Sequence, residues 1–300
     1  SLHHHNTFSY QDGYGLPGQH VDRAVELGMS ALAITDHGNV SGHVAMEKAC
    51  AKAGIKPIYG LEAYTQFDSS MDKQRKFHLT LLAMDREGYR NLMQLVTRSW
   101  AEGFKRWPTV SMSMLKDHHE GLIVLSGCSD SMLACSLLGG KTIPAENASY
   151  KRAKKLAAGF KRLLGDRYYL ECQMFPELER SGHINQAYER LSRELDIPLV
   201  GTADVHYPRP EDRDMRVIIH AAGRGNATMK QQEESWDYSI PASPPESDRI
   251  ALERLLGTGL SKRAAQEAVR NTAEIAERCN VTLPKAERFV YPASEEELSW

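Results

Sequence analysis

The feature that most constrains the fold of this chain is the alternation of short apolar segments with amphipathic segments of helical period. Seven segments have the composition of β-strands: residues 1–6, 31–35, 57–66, 78–84, 121–126, 167–173 and 198–202. Between them, apolar residues recur at helical spacing over residues 17–27, 40–53, 86–101, 130–138, 145–164 and 183–194. Such alternation is typical of a parallel α/β architecture, and seven units predict a barrel rather than an open sheet.

Ionisable residues concentrate at the ends of these predicted strands, where the reactive residues of α/β barrels lie. His3 and His5 are two residues apart, so on a strand their side chains point to the same face. Asp204 and His206 repeat this spacing after the last strand. Further candidates are Asp36, His37, Glu62, His78 and Cys128. Paired imidazoles on one strand face commonly bind a divalent metal, so the pattern predicts a metal centre. Glu62, inside its strand, and His78, at the start of its strand, fit less well.

Structural alternatives exist for each residue taken alone. A lone histidine at a strand end is usually a hydrogen-bonded rim residue, and Cys128 alone would more often be a small buried hydrophobe. The histidine run could be an affinity-tag remnant, but it is short, continues into strand-like residues 7–10 and has partners downstream. Glu62 is harder to explain, because a buried carboxylate is costly unless it is paired or metal-bound. The joint occurrence at successive strand ends favours the metal centre.

Composition places the chain among ordinary soluble proteins. Its 300 residues, 41% apolar and 25% charged, suit one large α/β domain or two smaller ones. No apolar run is long enough to span a bilayer and no secretory signal is visible, and the five cysteines are scattered. We therefore expect a cytoplasmic protein with reduced thiols and no membrane contact. The net charge of −2 excludes a generally basic surface, but bound cations could still recruit a nucleic acid.

Five motifs occur in an order that resembles the PHP (polymerase and histidinol phosphatase) domain. They are Leu2-His3-His4-His5 with Phe8-Ser9-Tyr10-Gln11-Asp12-Gly13, Thr35-Asp36-His37-Gly38, Gly60-Leu61-Glu62, Leu125-Ser126-Gly127-Cys128 and Asp204-Val205-His206-Tyr207. More narrowly, the chain resembles the N-terminal PHP domain of bacterial or phage C-family DNA polymerase III α subunits. One departure is Asn6, where the family more often has serine or threonine; it is not a ligand position.

The resemblance implies a distorted (β/α)7 barrel with a trinuclear metal site at the C-terminal ends of the strands. Its nine ligands would hold one ion by His3, His5, Glu62 and Asp204, a second by Glu62, His78 and Cys128, and a third by Asp12, His37 and His206. The catalytic residues would be Glu62, Asp204 and His37. Ligands of this mixed type fit zinc, manganese or iron, so up to three such divalent ions are expected.

Clustered metals of this kind suit hydrolysis of a phosphoester. The resemblance implies a 3′–5′ exonuclease that proofreads during DNA replication, with a single-stranded DNA 3′ end and the remainder of a DNA polymerase III α chain as partners. Two alternatives stay open: a phosphatase acting on a small phosphomonoester, and a non-catalytic domain that stabilises a polymerase. Asp12, where the phosphatases tend to carry histidine, argues against the first. The complete ligand set argues against the second.

The region after His206 is organised differently. Arg209, Arg213 and Arg216 could bind substrate phosphates at the entrance to the site; the alternative is a solvated helix face with acidic partners. We predict a phosphoesterase domain over residues 1–240 and a helical extension over 241–300 that leads toward a polymerase palm. Residues 231–248 are expected to form a loop and residues 252–279 two helices, while the tail from 282 to 300 has few periodic apolar residues.

Overall fold

The computed structural model describes residues 1–68, 76–225 and 227–284. The strands are β1 (Ala31–Ile34), β2 (Lys56–Gln66), β3 (Phe77–Ala83), β4 (Thr109–Ser111), β5 (Leu122–Leu125), β6 (Tyr168–Gln173) and β7 (Leu199–Thr202). The helices are α1 (Pro17–Glu26), α2 (His43–Ala53), α3 (Arg86–Ala101), α4 (Met112–Asp117), α5 (Met132–Leu138), α6 (Tyr150–Leu164), α7 (Glu179–Leu195), α8 (Arg213–Gly223), α9 (Met229–Ser235), α10 (Asp248–Gly257) and α11 (Lys262–Arg278). All predicted helices, and all predicted strands but the first, match these elements to within five residues.

The first six residues close the sheet into a ring. The sheet runs in the order β1-β2-β3-β5-β6-β7, with β4 beside β2. Between its two edges, the Thr35 amide donates to the His4 carbonyl at 2.9 Å, and the His5 amide donates to the Val205 carbonyl at 2.7 Å. Residues 1–6 are thus an extended segment with a bridge between His4 and Val205 instead of the regular strand expected. This N-terminal segment and the six strands of the ring form the seven-membered barrel.

Strand β3 runs antiparallel to both of its neighbours, β2 and β5, so the expectation of an all-parallel sheet is wrong at this strand. A parallel connection needs a dozen or more residues, whereas residues 67–76 alone connect β2 to β3. The reversal explains the position of His78. Because β3 is reversed, its N-terminal end lies beside the C-terminal ends of the other strands, and His78 pairs there with Tyr64 of β2.

Strand β4 and helix α4 are short elements that the sequence did not predict. β4 has three residues and pairs in parallel with the C-terminal end of β2, where Thr109 lies opposite Tyr64. Ser111 ends β4 and caps α4, since its hydroxyl accepts a hydrogen bond from the Met114 amide. Three residues carry too little periodicity to be recognised as a strand.

The strands are covered by the apolar faces of the helices. β5, β6 and β7 are buried along their whole length, as expected where helices cover a sheet. In α6, the buried residues follow one another at helical spacing, and they are Ala153, Ala157, Phe160 and Leu164. Phe160 stacks on Tyr168 of β6 with the ring centroids 5.1 Å apart.

The two C-terminal helices confirm the prediction for residues 252–279. α11 packs on β7, and the Asn271 side chain donates to the Leu199 carbonyl at 2.7 Å. The division of the chain at residue 240 stays a prediction. The predicted loop over residues 231–248 is wrong at its start, because Thr228 and Gln231 form reciprocal capping bonds that begin α9.

Residues 285–300 of the predicted tail lie outside the described residues. Within the described ranges, every helix is too short or too polar to cross a membrane.

Candidate metal centre

The Glu62 carboxylate lies at the centre of a group of histidines on the barrel rim. Glu62 belongs to β2 and is 1% exposed. Its Oε1 lies 3.3 Å from His3 Nε2 and 3.0 Å from His78 Nδ1. Its Oε2 lies 2.7 Å from His37 Nδ1 and 3.3 Å from His5 Nε2. One carboxylate therefore faces four imidazoles that come from the N-terminal segment, the end of β1 and the start of β3.

Asp204 forms a second centre shortly after β7. Its Oδ1 lies 3.3 Å from His3 Nε2 and 3.5 Å from His5 Nε2, and the Gln173 side chain donates to its Oδ2 at 3.0 Å. The φ angle of Asp204 is +45°, in the left-handed region that is uncommon for a residue with a side chain. Such conformations persist where surrounding contacts fix them, and they occur often at functional sites.

Asp12 reaches the cluster from the loop after the N-terminal segment. Its Oδ2 lies 3.1 Å from His37 Nε2 and 3.4 Å from His206 Nε2. Its Oδ1 is held from the outer side by Arg216 Nη2 and His220 Nε2, each at 2.7 Å. Burial would raise the pKa of Asp12, but the charges of His206 and Arg216 hold that pKa well below its ordinary value.

Cys128 lies at the edge of the cluster. Its Sγ is 3.4 Å from His78 Nδ1. Burial and the carboxylates of Glu62 and Asp204 raise the pKa of its thiol well above the ordinary value. Cys128 would therefore act as a thiolate only with a cation beside it, since a coordinating metal deprotonates a thiol.

Three groups of side chains place their ligand atoms within 4.8 Å of one another. The groups are His3, His5 and Asp204; His37, Glu62 and His78; and His5, His37 and His206. Within the described part of the chain, Cys128 and Asp12 belong to none of these groups. The other seven predicted ligands are brought together, and His5 and His37 each belong to two groups.

The atoms that converge in this cluster lie 2.7 to 3.5 Å from one another but make no hydrogen bond of normal geometry. They are Nε2 of His3, Nε2 of His5, Nδ1 of His37, both carboxylate oxygens of Glu62 and Oδ1 of Asp204. Buried polar atoms without partners are costly and require an explanation. A divalent cation provides one, because imidazole nitrogens and carboxylate oxygens are its common ligands in proteins. The residues present therefore fit divalent metal ions.

Charge in the cluster is balanced by protons when no cation is bound. Burial would lower the pKa of His5, but the neighbouring carboxylates of Asp204 and Glu62 raise it to about 9. Burial would raise the pKa of Glu62, but the charges of His78, His37 and His3 hold it well below its ordinary value. A metal would take the place of these protons, so its binding releases protons to solvent.

Glu171 of β6 holds His3 by the ring nitrogen that faces away from the cluster, and it was not among the predicted site residues. Its Oε1 lies 2.6 Å from His3 Nδ1 and accepts from the Thr202 hydroxyl at 2.7 Å. Its Oε2 accepts from the Thr80 hydroxyl and the Gly127 amide, each at 3.1 Å. By occupying Nδ1, the carboxylate leaves His3 Nε2 for a metal. The signal was present, because Glu171 lies in an otherwise largely apolar strand, as Glu62 does.

A second supporting chain fixes His5. Its Nδ1 lies 2.8 Å from the Ser9 hydroxyl, which donates to Asp36 Oδ1 at 2.6 Å. The Asn6 side chain donates to Asp36 Oδ2 at 3.0 Å. Asn6, the departure from the family pattern, thus positions Asp36.

The three arginines predicted to contact phosphate lie in different places. Arg216 holds Asp12, as described above. Arg209 pairs with the exposed Glu26, with Nη1 2.7 Å from Oε2. Arg213 pairs with Asp214 at 2.7 Å and with Glu233 at 3.0 Å. Binding of substrate phosphate by these side chains stays a prediction.

The rim of a (β/α)7 barrel with this cluster is the arrangement that the sequence motifs predict. The family described as "PHP domain" matches residues 1–174, which is more than half of the chain. The chain therefore belongs to the PHP domain family. Asp204 and His206 lie beyond the matched residues.

The relatives are polymerase subunits much longer than this chain. DNA polymerase III subunit alpha of Treponema pallidum is 34% identical over 297 residues, which cover 95% of this chain and 23% of the relative. That of Thermus aquaticus is 32% identical over 304 residues, which cover 97% of this chain and 23% of the relative. The chain spans less than a quarter of the length of either relative.

Among solved structures, the chain aligns with a two-domain protein from Bacteroides vulgatus that contains a predicted PHP-like metal-dependent phosphoesterase. The alignment covers 68% of this chain and 51% of the other, at 14% identity and a TM-score of 0.37.

Proposed function

We propose that the chain is the PHP domain of a DNA polymerase III alpha subunit and acts as a metal-dependent 3′–5′ exonuclease during DNA replication in the cytoplasm. The similarity to polymerase subunits along nearly the whole chain supports the first part. The observation that carries the second part is the convergence of buried, unpartnered imidazole and carboxylate atoms at one point of the rim. A domain that only stabilised a polymerase would have no need of such costly atoms.

The nine predicted ligands would hold up to three divalent ions, which we propose to be zinc, manganese or iron. When bound, such ions make water more acidic and neutralise the charge of a phosphodiester. The protein fixes their ligands: Glu171 orients His3, and Ser9 orients His5. The side chains of Asp12, Asp204 and His78 are 28%, 18% and 16% exposed, so a substrate entering from solvent would meet these residues before the more deeply buried ligands.

The test compares three substrates with the metal-loaded protein: single-stranded DNA labelled at its 5′ end, the same DNA labelled at its 3′ end, and p-nitrophenyl phosphate. Each is incubated with Mn²⁺ or Zn²⁺. The proposal predicts release of a labelled mononucleotide from the 3′ label and stepwise shortening of the 5′-labelled strand. Turnover of the monoester alone would select the phosphatase, and no turnover of any substrate would select the non-catalytic domain.

A further inference from the structure

A cleft beside the predicted ligands is lined by large aromatic side chains that have no part in the ligand set. It has a volume of about 590 Å³ and reaches Asp12, His37 and His78. The aromatic lining comprises Tyr10, Tyr64, Trp100, Phe104, Trp107 and Trp236. Three of the four tryptophans of the chain therefore border a single cleft, and the fourth, Trp300, lies outside the described residues.

Three contacts hold one aromatic wall beside the predicted ligand His37. The ring of Tyr64 stacks on that of His37, with centroids 5.5 Å apart and an interplanar angle of 15°, and Trp107 packs against Tyr64 at 5.6 Å. The Trp100 indole donates to the carbonyl of Gly38, the residue after His37, at 3.1 Å. The aromatic wall is thus held in a fixed position relative to the predicted metal site.

Three of these aromatic side chains are exposed to solvent. Trp100 is 51% exposed and Phe104 is 47% exposed, and their rings stack 5.1 Å apart at 10°, so one face of each remains free for a ligand. Trp236 is 42% exposed. Large aromatic side chains grouped at the surface are typical of binding sites, because leaving them in water is unfavourable.

Cationic side chains lie among these rings. Lys76 Nζ lies 4.0 Å from the centre of the Tyr64 ring and 3.9 Å from that of Trp107. Lys141 Nζ lies 5.8 Å from the Trp236 ring. Arg106 and Arg224 also line the cleft. In a chain with a net charge of −2, this local set of cations is suited to an anionic polymer. An apolar peptide would not need it.

We propose that this cleft binds the 3′-terminal nucleotides of a single-stranded nucleic acid, with bases stacked on Trp100, Phe104 and Trp236 and phosphates beside Lys76 and Lys141. Alternating aromatic and cationic groups are how proteins hold single strands without reading their sequence. The inference rests on the proposed function, because the cleft would deliver the terminal phosphodiester to the ligand cluster.

The experiment measures binding without turnover. The metal-loaded protein is titrated with an oligothymidylate whose 3′-terminal linkages are phosphorothioates, and tryptophan fluorescence and anisotropy are recorded. An abasic oligomer of equal length has the same charge but no bases. Stacking predicts quenching by the oligothymidylate and affinity for the abasic oligomer that is lower by about tenfold or more. Equal affinity for both oligomers, with no quenching, would overturn the proposal.

Variants locate the binding site. Trp100→Leu and, on the opposite wall, Trp236→Leu should each weaken oligothymidylate binding about tenfold, whereas Trp100→Phe should keep most of the affinity because it keeps a ring. Leu256→Ala shortens an apolar side chain of similar exposure on α10 and should leave binding unchanged. If both leucine variants bind within twofold of the wild type, the aromatic cleft is not the site.

A second readout separates this inference from the proposed function. Wild-type turnover of bis(p-nitrophenyl) phosphate tests hydrolysis without base stacking. If the wild type hydrolyses DNA but the leucine variants bind it normally, the cleft inference fails and the exonuclease stands. If the wild type hydrolyses neither DNA nor bis(p-nitrophenyl) phosphate, but the leucine variants bind the oligothymidylate more weakly, the exonuclease proposal fails and the cleft inference stands.

Discussion

Two carboxylates in the same cluster, Glu62 and Asp12, are held in opposite ways. Glu62 is enclosed by four imidazoles at the barrel rim and is 1% exposed. The Asp12 side chain is 28% exposed and is held from outside by Arg216 and His220, which both belong to α8. The first carboxylate is positioned by strands of the barrel, and the second by a helix packed on its rim.

The difference distinguishes two parts of the site. One is a frame of residues around Glu62 that the barrel positions, and the other is an adjustable edge formed by Asp12, Arg216 and His220. Strand positions are fixed by the hydrogen-bonded ring, so Glu62 cannot move without opening the barrel. Asp12 lies on a loop, and its outer partners Arg216 and His220 belong to helix α8, outside the hydrogen-bonded ring. We therefore expect changes at Glu62 to abolish activity and changes around Asp12 to reduce it.

The largest effect is expected at the frame. Glu62→Gln removes the charge that balances the surrounding imidazoles, and phosphodiester hydrolysis should fall by at least about a thousandfold. Asp12→Asn should lower the same rate by only about tenfold. Rates are measured on DNA with Mn²⁺, and thermal unfolding shows whether the fold survives.

The matched control is Glu87→Gln, an exposed carboxamide substitution in the first turn of α3, which should keep the wild-type rate. Elemental analysis of the wild type should give about two to three transition-metal ions per chain. Full activity of Glu62→Gln would show that the carboxylate is not the centre of the site.

A histidine outside the cluster provides the next contrast. His43 is buried, with Nε2 2.9 Å from the Gly60 carbonyl, and burial lowers its pKa from 6.5 to about 4. The unfolded chain therefore binds a proton between pH 6.5 and 4 that the folded chain does not. The free energy of unfolding that the uncharged His43 contributes is fully present above pH 6.5. It is lost as the pH falls toward 4, by up to about 3 kcal/mol.

Urea unfolding of the wild type and of His43→Gln at pH 7 and pH 4.5 checks this prediction. The variant should lose less stability than the wild type over that range, because it lacks the titrating group. Equal losses would mean that His43 is not held neutral in the folded protein.

The support beneath the frame should have a smaller effect. Glu171→Gln leaves a side chain of the same size but weakens the bond that orients His3. We expect metal affinity to fall about 10- to 100-fold, measured by competition with a chromogenic chelator. Glu177→Gln, an exposed substitution shortly after β6, serves as the control. If Glu171→Gln binds metal with wild-type affinity, then Glu171 does not orient His3 for metal binding.

The smallest effect is expected at the adjustable edge. Arg216→Gln leaves Asp12 with His220 as its remaining outer partner, and the uncompensated carboxylate should repel substrate. The KM for DNA should rise about tenfold while kcat changes less, in line with one lost charge-assisted contact. Arg249→Gln, an exposed arginine on α10, should behave like the wild type. A loss confined to kcat would contradict this account.

The strand-borne part of the site was predictable, because period and spacing place residues on a known face. His3 and His5 follow from their separation of two, and Glu62 follows from the cost of a buried carboxylate. His78 was predicted as a ligand, although its position became understandable only once β3 was seen to be antiparallel. Glu171 could have been found by the argument used for Glu62.

The helix-borne part was not predictable from sequence. Arg209, Arg213 and Arg216 look equivalent in the sequence, yet Arg216 is the one that holds Asp12, because this depends on how α8 lies against the rim. The aromatic cleft likewise brings together side chains from distant segments, such as Trp100 and Trp236. Local patterns carry no information about such packing.

The closure of the barrel by its first residues has a consequence for how the protein is made. His3 and His5 leave the ribosome about 200 residues before Asp204, their carboxylate partner across the ring. Until then the N-terminal segment lacks its second edge, and long-range pairing of this kind forms slowly. While those residues are being made, His3 and His5 lack this carboxylate partner. A cation bound after Asp204 has emerged would join two segments of the domain that lie about 200 residues apart in the chain.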